Sequence, residues 1–321
     1  MRILVTGGAG YIGSTAAAML HERGFEVTVL DDCSTGHLDA VPKGAKFIQG
    51  SILDPQIVST ALAGCDAVIH FAAKSLVGES VEKPDLYFDV NVNGTRNLLN
   101  QMSGLGITKL VFSSTAATYG EPEETPITEE SRTKPTSPYG STKLAVDQMI
   151  SEESNNGLAA ISLRYFNVAG AFKSSNGWIA ERHNPETHLI PNVLRATQLN
   201  PLKLFGNDWP TQDGTPIRDY VHVVDLIDAH ILALKNLTAG EHQIINLGSG
   251  GGYSVTQVIN AAAKVLGREI PVEVTTRRAG DPAVLIADIA KAEKVLGWKP
   301  ERDIENMVSD AWEAISTDAR K

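Results

Sequence analysis

The chain has 321 residues, 42% of them hydrophobic and 21% charged, the balance of an ordinary globular protein built as one large domain or two fused ones. Its formal net charge of -10 argues against non-specific nucleic-acid binding, and an anionic ligand would need a local cluster of Arg or Lys. No apolar run is long enough to span a bilayer, no leader-like segment precedes the first strand, and the two cysteines, Cys33 and Cys65, lack metal-type spacing, so a cytoplasmic protein with free thiols is expected.

In chain order, strands are expected at Ile3–Thr6, Glu26–Leu30, Lys46–Gln49, Ala67–Phe71, Lys109–Ser113 and Ala160–Arg164. Helices are expected between them at Tyr11–Arg23, Ile57–Ala63, Leu86–Met102 and Tyr139–Glu153. This alternation predicts an α/β fold, a Rossmann-type doubly wound parallel sheet covered on both faces. After about Asn167 the pattern loosens. Residues Gly170–Pro185 read as loop. Helices return at Pro191–Leu199, Val224–Leu237, Ser254–Leu266 and Asp303–Ser316, with strands near Leu202–Phe205 and Gln243–Leu247. Residues 1–167 are therefore read as a nucleotide-binding domain, with later returns over about 218–250. Arg218–Val224 is a candidate to rejoin the main sheet. Residues 168–321 mainly form a second, smaller α/β lobe interleaved with the end of the first.

Gly7, Gly10 and Gly13 follow the first strand and open the first helix, and Gly8, Gly10 and Gly13 satisfy the G-x-G-x-x-G spacing. Glycine allows the tight turn and the close approach of a pyrophosphate to free N–H groups. Asp31 and Asp32 end the second strand, eighteen residues past Gly13. A carboxylate there bonds ribose hydroxyls and repels a 2′-phosphate, which favours NAD over NADP. His70 and Phe71 precede Ala72 and Ala73, small enough for cofactor contact; His70 itself reads as a packed residue. Tyr139 and Lys143 lie one turn apart on one helix face behind Ser137–Pro138. A tyrosine acting as a base near neutrality must lose roughly three pKa units, about 4 kcal/mol, and a nearby lysine charge can supply that. Ser113-Ser114-Thr115 ends a strand, where Thr115 could relay a hydrogen bond to Tyr139.

Together, Gly7–Gly13, Ser113–Gly120, the Tyr139/Lys143 pair and Arg164–Asn167 resemble the extended short-chain dehydrogenase/reductase family. Val77–Ser80, Asn91–Thr95, Asp213–His222 and Arg277–Asp281 narrow the resemblance to its UDP-glucose 4-epimerases, over Met1 to about Trp312. The resemblance implies interconversion of UDP-galactose and UDP-glucose: oxidation at sugar C4 with NAD, rotation of the 4-keto sugar, and hydride return. Tyr139 would be the base, Thr115 its hydroxyl partner, and Lys143 the group that bonds the nicotinamide ribose and lowers the tyrosine pKa. It further implies cofactor contacts from Gly7, Gly10, Tyr11, Ile12, Gly13, Asp31, Asp32, Cys33, Ser34, Thr35, Gly36, Ser51, Ile52, Phe71, Ala72, Ala73, Ser113, Tyr139, Lys143 and Phe166. Substrate contacts would come from Thr115, Asn167, Leu189 and Phe205. Arg218 and Arg278 would clamp the diphosphate, and Asp281 would hold the uridine ribose. A homodimer through Leu86–Met102 and Tyr139–Glu153 is implied, and no metal.

Four positions depart from the family pattern. Ser51 stands where an Asp near the adenine is usual, with Asp54 as a compensating candidate. Val90 replaces a cofactor-contacting Asn, and the basic residue after Phe71 is Lys74, one place early. Leu285 replaces a gating tyrosine, which leaves room for N-acetylated sugars. Ala116 and Ala117, after Thr115, cannot transfer protons, which argues against a 4,6-dehydratase. Epimerases of UDP-glucuronate or pentoses, and a non-catalytic NAD-binding regulator, are the other readings.

Overall fold

The computed structural model describes residues 1–277 and 281–318. Strands β1 (Arg2–Thr6), β2 (Glu26–Asp31), β3 (Lys46–Gln49), β4 (Ala67–His70), β5 (Lys109–Thr115), β6 (Ala159–Tyr165) and β7 (His242–Leu247) form one sheet in the order β7-β6-β5-β4-β1-β2-β3. Every neighbouring pair is parallel. The expected doubly wound fold is thus present.

The strands read as continuous apolar runs because both faces are covered. In β1, Ile3 and Val5 face one core and Leu4 the other, the period of two that a strand imposes. The first core takes Ala16, Ala17 and Leu20 of α1 (Tyr11–Glu22). The opposite core takes α2 (Pro55–Leu62), α3 (Gly94–Gly104) and α4 (Pro138–Ser154) through Val58, Leu98 and Ile150. The smaller lobe has its own core, where Val193 of α5 (Leu189–Arg195) meets Val258 of α7 (Val255–Leu266) and Met307 of α8 (Ile304–Asp318). Helix α6 (Val223–Lys235) returns to the first core through Leu226 and Ile227.

Helix starts follow side-chain chemistry. Asp54 caps α2 by accepting from Gln56 N at 2.8 Å and Ile57 N at 3.2 Å. Ser137 caps α4 by accepting from Gly140 N at 3.1 Å, with Pro138 in the first turn. Ser254 and Gln257 form a capping box on α7, which stops at left-handed Gly267.

Several expected elements differ. Leu86–Met102 is not one helix: Pro84–Tyr87 is α-helical, Phe88–Asn93 is a π turn, and α3 begins at Gly94. Tertiary bonds hold the π turn. Asn91 exchanges bonds with the Lys74 backbone at 2.8 and 3.0 Å and donates to Thr142 Oγ1 at 3.0 Å. Gly170–Pro185 contains an antiparallel hairpin, Ala171–Ser174 with Gly177–Ala180. The helix expected at Pro191–Leu199 starts earlier, at Leu189, and ends at Arg195. Arg218–Val224 does not rejoin the main sheet: Tyr220–His222 pairs with Asn167–Ala169, and it is β7 that completes the sheet beside β6.

Candidate active site

The loops after β1, β2, β4, β5 and β6 meet at the carboxyl edge of the sheet, where a doubly wound fold binds ligands. The glycines of the first loop do different work. Gly7 has φ +71, and a Cβ there would lie 2.6 Å from Ala72 N. A Cβ on Gly13 would lie 2.1 Å from Gly7 O, so α1 can approach the turn only with glycine at that place. A Cβ on Gly10 meets nothing closer than Gly7 O at 3.5 Å. Gly10 is also the N-cap of α1, which has no side-chain cap. An open helix N-terminus beside a bare glycine fits a dinucleotide pyrophosphate.

The second loop is stitched to the first. Asp31 accepts from Ala9 N at 2.9 Å and Cys33 N at 2.7 Å, and His37 N donates to Ala9 O at 2.8 Å. Burial raises the Asp31 carboxyl above its usual range, while those two N–H bonds oppose the rise. A carboxylate has about four acceptor sites, so lone pairs remain for ribose hydroxyls. Cys33 takes a left-handed φ of 56°, and Gly36 lies against Ala9, where a Cβ would be 2.9 Å away. Asp32, Ser34 and Thr35 are exposed on this loop. Lys74 crosses from the β4 loop and donates to Ser34 Oγ at 3.0 Å. Phe71, Ala72 and Ala73 are partly exposed beside Gly7, and Phe166 extends β6. Ile52 is buried against Gly94 while Ser51 stays partly exposed. Asp54 caps α2 through Oδ1, three residues past Ser51. Val90 packs against the core next to Asn91.

Thr115 ends β5 and Tyr139 opens α4, and the Thr115 side chain acts on the Tyr139 phenol. Lys143 is buried one turn on and donates to Ser113 O at 2.7 Å. Burial pushes the Tyr139 phenol up to about 12, and Thr115 only partly offsets this. Burial likewise pushes the Lys143 ammonium down to about 8, against the pull of Asp147. The expected lowering of the tyrosine by Lys143 is therefore not seen in the chain alone. Both groups lose water, and Lys143 is turned to a backbone carbonyl. Tyr165 lies beside this pair with its hydroxyl on Ser113 Oγ, and burial raises its phenol.

His70 is a structural residue, as expected. Its Nδ1 is 2.6 Å from Thr6 Oγ1 and its Nε2 is 2.9 Å from Thr95 Oγ1. Thr95 Oγ1 donates to Asn91 O, so it accepts from Nε2–H and leaves Nδ1 to accept from Thr6. Burial, then the Lys143 charge, holds this imidazole down at about 3, neutral at ordinary pH.

A cavity of about 270 Å³ opens between the two lobes. Asn167, Leu189, Phe205, Arg218 and Asp281 all line it, although they span more than a hundred residues of sequence. Arg218 Nη2 stands 3.7 Å from Asp281 Oδ2, a cation held at the cavity wall in an acidic protein. Leu285 is not in that lining: it pairs beside Arg218 on a short parallel strand, and its carbonyl accepts from Asp219 N at 2.9 Å. Arg278 lies outside the described residues.

Sequence reasoning missed one supporting residue, Asp147, and one contact of Tyr11. Asp147 accepts from Arg164 at 2.8 and 3.0 Å and from Ser114 Oγ at 3.1 Å, all buried. Its spacing of four from Lys143 was the available signal. Tyr11 donates to Gly170 O at 2.7 Å and so ties the glycine turn to the cavity wall, a contact with no local signal.

The profile of the NAD dependent epimerase/dehydratase family matches residues 3–248, and the chain belongs to that family. It is 54% identical over 316 residues to the UDP-glucose 4-epimerase of Corynebacterium glutamicum, covering 97% of this chain and 95% of the relative. It is 50% identical over 318 residues to that of Streptomyces lividans, covering 97% and 95%. Among solved structures, it superposes with a TM-score of 0.92 on the UDP-glucose 4-epimerase of Bifidobacterium longum, a complex with NAD+ and UDP. The two are 36% identical and each chain is covered to 99%.

Proposed function

We propose that the chain interconverts UDP-galactose and UDP-glucose by transient oxidation at sugar C4, with NAD held throughout by the Gly7–Gly13 turn. The observation that carries this reading is the Thr115–Tyr139 hydroxyl pair at the carboxyl edge of the sheet, with Lys143 buried one turn on. When bound, NAD supplies the hydride acceptor and donor at C4 and a cationic ring that favours the phenolate. Tyr139 takes the O4 proton through or beside Thr115 and later returns it. Lys143 holds the ribose side of the site and donates to Ser113 O, fixing the end of β5. Arg218 and Arg278 hold the diphosphate, Asp281 the uridine ribose, and Asn167, Leu189 and Phe205 the remainder.

In this reading residues 1–167 are the NAD-binding domain, and α6 and β7 are its later returns. Residues 168–321 mainly bind the UDP-sugar. A cytoplasmic enzyme of galactose metabolism accords with two free thiols and with no described helix long and apolar enough to cross a membrane. A homodimer is supported by apolar side chains left exposed on the segments beside α4 and just before α3, with Val81 65% and Phe88 53% accessible.

The test is purified protein given UDP-galactose without added NAD, then with it, and the products separated by chromatography. UDP-glucose in the first sample supports a resident cofactor. Unchanged UDP-galactose in the second sample overturns the reading. UDP-N-acetylgalactosamine and UDP-glucuronate run alongside define the role of Leu285, and sedimentation velocity at low concentration tests the dimer.

A further inference from the structure

Between the cofactor turn and the sugar-nucleotide cavity stands a loop, residues 181–188, whose side chains the reaction does not use. Glu181, His183 and His188 each offer one ligand atom, and these atoms lie within 4.8 Å of one another. His183 Nδ1 is 2.5 Å from Glu181 Oε1, and His188 Nδ1 is 4.0 Å from Glu181 Oε2. The two imidazole rings are 5.6 Å apart. Tetrahedral ligands on bonds of about 2.1 Å sit about 3.4 Å from each other, so only small side-chain rotations separate this arrangement from a coordination shell.

A second observation concerns Glu186. Its side chain is 6% exposed. One oxygen, Oε1, bonds His188 Nδ1 at 2.7 Å, and the other, Oε2, is buried with no hydrogen-bond partner among the described residues. A buried carboxylate oxygen left unmatched is costly unless a positive charge offsets it. Oε1 also accepts from the backbone N–H groups of Thr187 and His188, both at 2.9 Å, so these contacts all fall on one oxygen. Two imidazoles and the Glu181 carboxylate within 4.8 Å, with the Glu186 carboxylate behind His188, form a nitrogen–oxygen donor set that suits zinc and its first-row neighbours.

We propose that Glu181, His183 and His188, backed by Glu186, bind one divalent cation of the zinc class, which fixes the loop between the two cavities. Glu181 and His183 line the smaller cavity beside Gly10 and Tyr11, and Glu181 and His188 line the larger one beside Leu189. An ion here would tie together the walls of both without taking part in hydride or proton transfer.

The experiment uses the purified holoenzyme, freed of chelator and titrated with cobalt(II) chloride followed by visible absorption, with zinc chloride as competitor. A d–d band that saturates near one cobalt per chain, and that zinc displaces, is expected. His183→Ala and His188→Ala should each weaken cobalt binding at least tenfold, and Glu186→Gln, which keeps the side-chain volume, should weaken it too. Each variant is checked for wild-type NAD content and circular dichroism, so that a misfolded protein is not counted. Thermal unfolding of the wild type should shift upward with zinc, and that of His183→Ala should not. No saturable band in the wild type, or one unchanged in both histidine variants, overturns the proposal.

Discussion

Alanine at Gly10 and alanine at Gly13 should fail in opposite ways. Gly10 has φ -77 and ψ 170, a region open to any residue, and an added Cβ would touch only Gly7 O at 3.5 Å. Loss of a glycine cap costs a few tenths to about 1 kcal/mol, and the lowered entropy of the unfolded chain returns about 0.4–1 kcal/mol. Apoprotein carrying Gly10→Ala should therefore unfold within about 1 kcal/mol of the wild type. Its methyl group occupies space at the open α1 N-terminus, however. Weakening one charge-assisted bond to a phosphate is worth about 1.5–3 kcal/mol, so NAD affinity should fall roughly 10- to 100-fold. At Gly13 the added Cβ would lie 2.1 Å from Gly7 O, 2.8 Å from Gly7 C and 2.9 Å from Gly8 Cα, all backbone atoms. The turn must move, at a cost of about 1–3 kcal/mol or more. Urea unfolding of NAD-free protein and calorimetric titration with NAD separate the two effects. Wild-type NAD affinity in Gly10→Ala, or wild-type stability in Gly13→Ala, would refute this division of labour.

Tyr139→Phe should lower turnover of UDP-galactose by about 10²–10⁴-fold while NAD content stays that of the wild type, read by chromatography and by absorbance of released cofactor. Burial holds Lys143 near 8, against 10.5, so between those values the unfolded chain binds more protons and stability rises with pH. Apoprotein carrying Lys143→Met should lack that rise, which urea unfolding at pH 7.5 and 9.5 measures; equal slopes would contradict the burial argument. Asp147→Ala leaves the Arg164 guanidinium buried and unpaired, and should cost about 3–5 kcal/mol in the same assay.

The sequence by itself was enough for the elements whose cause is local. Alternating apolar runs and helices dictate a covered parallel sheet, and the glycine turn dictates a dinucleotide cradle, because both need only neighbouring residues. Asp31 was legible as a strand-end carboxylate, and the Tyr139 and Lys143 pair as two groups on one helix face. Tertiary structure decided what those groups experience. Lys143 bonds a carbonyl thirty residues earlier, at Ser113, and burial sends the phenol and the ammonium towards neutrality instead of towards the ion pair that their spacing suggested. The break in Leu86–Met102 depends on Asn91 finding Lys74 and Thr142. Arg218 and Asp281 become one cavity wall only when two short strands align Arg218 with Leu285. Propensity and spacing act along a few residues, whereas desolvation and pairing depend on what the folded chain brings alongside.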